Sequence, residues 1–147
     1  MIKNYLNDKN IFINVDAKSK NEVFQEVFNS LKNQGCVDDK YLDSMIQRDQ
    51  HASVAIGNYI AIAHGTVETK DLIKNNGMCF LVLKNPIQWD GNEVKVVLGL
   101  AFIGDEAMDV IGNIGVAFSD EDEVKDFYYQ NDLTTQKVLD WLISHDE

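Results

Sequence analysis

Proline occurs once in these 147 residues, at Pro86, and cysteine twice, at Cys36 and Cys79. With so little proline, and no Gly/Ser-rich or repetitive tract, there is no candidate linker. The reading is one domain over residues 1–147, long enough to bury about 70% of its unfolded surface around one core. No run approaches the roughly 18 apolar residues of a membrane span. The polar opening MIKNYLNDKN does not read as a signal peptide, so a cytoplasmic protein without membrane insertion is expected. The two cysteines stand far apart with no metal-like cluster beside them. Reduced thiols are expected, with Cys79 in the core and neither metal nor cofactor required. Basic residues are also scarce: 13 Lys and Arg against 24 Asp and Glu give a net charge of -11. That balance argues against nucleic acid, which is held by neutralising phosphates, and suits a basic protein partner.

What is present alternates between two periodicities. Ile11 to Val15 reads as a strand. Ser19 and Glu22 have capping-box spacing, and Val23, Phe24, Val27, Phe28 and Leu31 follow at helical spacing up to Gly35. Asp38 or Asp39 can cap a second helix that buries Tyr41, Leu42, Met45 and Ile46 and carries Arg48 in its last turn. His51-Ala52-Ser53 reads as a connection. Met78 to Leu83 is an apolar run of strand length closed by Lys84-Asn85-Pro86, and Trp89 is expected to pack beside a turn at Asp90-Gly91. Val94 to Leu100 then gives another strand. Asp105 can cap a helix burying Met108, Ile111, Ile114 and Phe118. The acids from Asp120 to Glu123 suit the start of the next helix. Thr134 opens a last helix containing Val138, Leu139, Trp141 and Leu142, which leaves His145 at a fraying end. Interleaved strands and helices imply an α/β fold.

The chemistry concentrates between Asp49 and Asp71, DQHASVAIGNYIAIAHGTVETKD. The apolar run Tyr59 to Ala63 reads as a buried strand that ends on His64, with Gly65-Thr66 turning away. A strand-end imidazole beside a flexible turn can act as a nucleophile towards a phosphoryl group. The Gly65 N–H and the Thr66 hydroxyl are candidates to receive the anion. From the residues alone His64 could equally cap a strand, and Arg48 could simply complement a helix dipole. Glu68 and Asp71 read as a solvated acidic rim.

The array Asp49, Ile56-Gly57, Ile60-Ala61-Ile62-Ala63-His64-Gly65 resembles the active-site signature of the mannitol/fructose class of EIIA proteins (type 2) of the bacterial phosphoenolpyruvate-dependent sugar phosphotransferase system. The continuation HGTVETKD resembles the mannitol branch. The resemblance implies a mixed, mostly parallel sheet of about five strands flanked by helices. It implies that His64 is the phosphorylated residue and that Arg48 is the arginine preceding the signature; Gly65 and Thr66 remain the phosphoryl-binding candidates read from the residues. The implied partners are the phosphocarrier HPr as donor and an EIIB domain as acceptor, in the uptake of mannitol or a related sugar. Three positions depart from the family pattern: Ala63 for proline, Val54 for threonine, and Ala107 for the second histidine of an Asn-Glu-His setting. They frame the alternative, an EIIA-like regulatory or binding module with weak transfer. A hydrolase using His64 as general base lacks a nucleophile or partner acid at suitable spacing.

Overall fold

The computed structural model describes residues 2–146. Its centre is a five-stranded sheet built from β1 (Ile11–Val15), β2 (Ala55–Gly57), β3 (Tyr59–Ala63), β4 (Gly77–Trp89) and β5 (Asn92–Ala101), in the order β1-β4-β5-β3-β2. β1 and β4 run parallel, as do β3 and β5, whereas β4/β5 and β2/β3 are antiparallel. The sheet is therefore mixed in equal parts and not mostly parallel. Two tight hairpins impose the antiparallel pairs. One turns at Asp90-Gly91, both with positive φ, and the other at Gly57-Asn58.

Side chains alternate across this sheet and feed two apolar layers. On one face Ile60, Ile62, Phe80, Leu98 and Leu100 pack under α3 (Glu106–Ala117), α4 (Glu121–Tyr128) and α5 (Thr135–Ser144). On the other, Ala61, Ala63, Cys79, Leu81 and Val97 pack under α1 (Lys20–Asn33) and α2 (Tyr41–His51). Where α1 comes close to the second face, β5 carries Gly99. A Cβ on Gly99 would stand 2.5 Å from Val27 Cγ1.

The caps follow the sequence in part. Ser19 accepts from the Glu22 N–H, Asp120 from the Asp122 and Glu123 N–H groups, and Thr134 from the Lys137 N–H. Asp105 stands at the start of α3 without capping it, and Lys40 occupies the cap of α2 while Asp38 accepts from the Lys40 N–H. β4 does not stop at Leu83. It runs on through Pro86 to Trp89, because its pairing with β5 skips from Val82 to Ile87 and so asks no ladder bond of the proline nitrogen. Met108, expected in the core, is 71% exposed; Val110, Ile114 and Ala117 fill the buried side of α3 instead. His145, expected at a fraying end, is docked. The His145 ring lies 4.2 Å from that of Trp141, and its Nε2 is 2.8 Å from Glu123 Oε1.

Candidate functional site

β3 and β5 are parallel neighbours, paired from Tyr59–Val94 to Ala63–Gly99, so they finish side by side at one edge of the sheet. β3 releases the chain at His64 and β5 releases it towards α3. The carboxyl ends of neighbouring parallel strands are where open α/β sheets form clefts, because the departing chains separate there. A cavity of about 210 Å³ occupies this place, with His64, Gly65, Thr66 and Val67 on one side, Gly104, Asp105, Ala107 and Met108 on another, and Lys70 at the same cleft.

The His64 ring is half-buried, and its Nδ1 lies 3.0 Å from the Ile62 carbonyl oxygen. A carbonyl only accepts, so Nδ1 carries the proton and the lone pair sits on Nε2. Burial holds the imidazole pKa below its ordinary 6.5; the Ile62 carbonyl pulls the other way and the Arg48 charge adds to the lowering. Neutral His64 is thus the form present at neutral pH. A titration of its ring protons by NMR is expected to give a midpoint below 6.5, and Arg48→Ala should move it upward. A midpoint at or above 6.5 would contradict the assigned tautomer and environment. Because the folded-state pKa is depressed, the associated stability is present above pH 6.5 and is lost as pH falls through the folded value.

The loop after His64 is fastened to α2. The Gly65 N–H donates to Tyr41 Oη at 2.9 Å, and Tyr41 Oη donates in turn to the Leu100 carbonyl at 2.8 Å. The Thr66 N–H donates to Ser44 Oγ at 2.9 Å, and the Thr66 hydroxyl lies 2.9 Å from that of Thr69, which also bonds Ser44. The Gly65 N–H and the Thr66 hydroxyl, the candidates to receive an anion, are thus both engaged inside the protein, as is the Thr66 N–H. Their contribution is to fix the loop. A Cβ on Gly65 would stand 2.6 Å from Ser44 Oγ and 2.7 Å from Tyr41 Cε1, so glycine is required by close approach and not by its φ. Burial raises the Tyr41 phenol pKa to about 12, which keeps it a neutral hydrogen-bonding strut.

Arg48 sits in the last turn of α2, where its Nη1 donates to the Ala52 carbonyl at 2.7 Å. It therefore closes the helix end, and its charge also reaches His64. Arg48 is not among the residues lining the cleft. His51 is the last residue of α2 and not a loop residue; it is exposed and also lies outside the cleft. Of the three departures from the family pattern, only Ala107 lines the cavity. Val54 and Ala63 are buried in the apolar layer beneath α1 and α2. Tyr41 and Ser44 were not legible as site residues. Their signal was their spacing from Arg48, seven and four positions, which sets all three on one face of a helix. Among the described residues no group of three or more His, Cys, Asp or Glu side chains is placed to hold a metal ion.

Sequence comparison decides the family. The profile described as "Phosphoenolpyruvate-dependent sugar phosphotransferase system, EIIA 2" matches residues 4–144. The chain belongs to this EIIA family. It is 41% identical over 136 residues to the mannitol-specific phosphotransferase enzyme IIA component of Mycoplasma pneumoniae, covering 92% of this chain and 95% of that one. Among solved structures, this EIIA chain is similar to enzyme IIA mannitol of Escherichia coli in its complex with phosphorylated enzyme IIB mannitol. The TM-score is 0.85 at 25% identity, with 95% and 97% of the two chains covered. The crystal structure of the E. coli IIA mannitol protein gives a TM-score of 0.82 at 26% identity over 93% and 98%. The five-stranded mixed sheet with helices on both faces is the fold of this EIIA family. No helix among the described residues is long and apolar enough to cross a membrane.

Proposed function

We propose that this EIIA chain is a cytoplasmic phosphocarrier that takes a phosphoryl group from phospho-HPr onto His64 Nε2 and passes it to the cysteine of an EIIB domain serving uptake of mannitol or a related sugar. The observation that carries the reading is the ring itself, neutral, oriented through Nδ1 by the Ile62 carbonyl, and set in a cleft at the end of β3. The name of the Mycoplasma relative and the IIA–IIB complex formed by the E. coli relative support the acceptor and the sugar class.

In the uptake step the Nε2 lone pair forms a bond to phosphorus as the bond from phosphorus to the donor's ring nitrogen breaks. Each ring keeps the proton on its other nitrogen, so no external base is needed. The phosphorylated His64 ring gains positive character, which the Ile62 carbonyl stabilises through the Nδ1–H. Arg48 contributes field rather than contact, and α3 presents the positive end of its dipole beside Ala107. In the second step the cysteine thiolate attacks phosphorus and His64 leaves as neutral imidazole. The sugar does not meet this chain. Intact mass after incubation with phosphoenolpyruvate, Enzyme I and HPr tests the reading: a gain of one phosphate supports it, and an unchanged mass removes it.

Ala107 is the observation that favours the second reading, an EIIA-like regulatory module. The position shares the cleft with His64, and a methyl there cannot hydrogen-bond a phosphoryl oxygen. Ala107→His is expected to speed donation from phospho-His64 to a mannitol-type EIIB by at least about tenfold, equivalent to ~1.4 kcal/mol off the barrier. Single-turnover decay of the phosphoprotein at matched pH measures it. Fast native donation with no gain from the substitution would mean the cleft already holds what the imidazole would supply.

A further inference from the structure

The phosphoryl cleft contains a cation that neither the motif nor the fold assigns to any task. Lys70 lies in the 3₁₀ turn Val67–Leu72, whose backbone is fixed by the Ile73 N–H donating to the Lys70 carbonyl at 3.0 Å. The residue is exposed, lines the cleft that holds His64, and makes no ion pair among the described residues. In a chain with 24 acids to 13 bases, an ammonium at a cleft and left without a carboxylate partner calls for an explanation. Other candidates to meet a phosphoryl anion are accounted for elsewhere. The Gly65 and Thr66 N–H groups bond Tyr41 and Ser44, the Arg48 Nη1 bonds the Ala52 carbonyl outside the cleft, and position 107 carries a methyl. The remaining charged residue at the cavity is Asp105, whose carboxylate repels the anion.

We propose that Lys70 is a phosphoryl-binding residue, its Nζ reaching into the cleft to hold the oxygens of the group carried on His64 and doing there what a second imidazole at position 107 would do. This rests on His64 being the phosphorylated residue. Three rotatable donors on a flexible four-carbon stem suit the task, because the phosphoryl oxygens move as the group passes from donor to Nε2 and on to the acceptor. Fixed backbone beneath a mobile head puts the charge at the cleft without restricting it to one pose. Negative charge spread over three oxygens in the transition state is what such a cation stabilises, and it also offsets Asp105.

The test is single-turnover uptake from phospho-HPr, followed over a range of donor concentration and salt, for the native protein, Lys70→Arg, Lys70→Gln and Lys70→Glu. The position is exposed and unpaired, so all four should fold alike. The limiting rate at saturating donor is expected to fall at least about tenfold in K70Q, further in K70E, and to be largely retained in K70R, a tenfold change being ~1.4 kcal/mol. The half-saturating donor concentration should change less. An unchanged limiting rate in K70Q would overturn the assignment. So would an effect confined to half-saturation and abolished by salt, which would make Lys70 a steering charge for the partner. If native protein takes up phosphate and K70Q matches it, the Lys70 assignment falls alone; if native protein takes up none, the phosphocarrier reading falls with it.

Discussion

His64→Ala is expected to abolish uptake of acid-labile phosphate from HPr while leaving the fold in place. The loss should be total and not graded, because no other imidazole lines the cleft and a lysine amine such as that of Lys70 is protonated at neutral pH and so lacks the lone pair to attack phosphorus. His51 is exposed at the end of α2, outside the cleft. His145 is turned against Trp141, with Nδ1 2.8 Å from the Trp141 carbonyl and Nε2 on Glu123. The cost in stability should be small. A half-buried ring and one hydrogen bond to the Ile62 carbonyl are removed, and a typical net hydrogen bond contributes about 1 kcal/mol. Intact mass together with a thermal melt reads both quantities. The mark on the native protein should be stable to mild base and lost in acid, as a phosphoramidate is and a phosphoserine is not. Acid-labile phosphate on the alanine variant would move the site elsewhere.

The other large effect is on stability, at the first residue of the signature. Asp49 is almost fully buried, yet both its oxygens are occupied. Oδ1 accepts from the Val54 N–H at 3.0 Å and from Trp89 Nε1 at 2.9 Å, and Oδ2 lies 2.9 Å from Lys20 Nζ. One carboxylate thus joins the end of α2, the approach to β2, the end of β4 and the start of α1. Asp49→Ala leaves two buried donors without partners, at about 1–3 kcal/mol each, and frees Lys20 to its remaining partner Asp90. The expected loss is about 3–5 kcal/mol, within the sum of two such penalties, since Lys20 is partly exposed and keeps Asp90. For a domain of this size that lowers Tm by roughly 6–20 °C at about 2–4 °C per kcal/mol. Asp49→Asn retains an acceptor oxygen and should lose less. Denaturant unfolding of the three proteins decides it. A change under about 1 kcal/mol in D49A would mean the carboxylate is replaceable by water. Since Arg48 adjoins Asp49, the alanine variant should also lose transfer beyond what unfolding explains.

Sequence and structure divided the problem along a physical line. Local patterning fixed β1, the span of α1 with its Ser19 cap, the β3 run ending on His64, the Asp90-Gly91 turn and the Thr134 start of α5, because each depends on residues a few positions apart. β2 is not legible in the sequence because three residues carry no measurable period, and its Ile56 is exposed. The sequence closes β4 before Pro86, but proline forbids a ladder bond only where one is required, and only the pairing with β5 reveals that none is. The proposed nucleophile, His64, stands out as an imidazole at a strand end beside a glycine, but the family resemblance and not that neighbourhood sets it apart from a strand cap. Its tautomer, and the spending of the Gly65 and Thr66 N–H groups on Tyr41 and Ser44, were not legible. Nor was the meeting of Ala107 and Lys70 with His64 across one cleft. Apart from Lys70, which is close to His64 in the chain, those are contacts between segments more than 20 residues apart, or between a ring and a carbonyl whose direction the strand sets. A sequence determines which groups are available for such contacts, but only the packed backbone decides which of them meet.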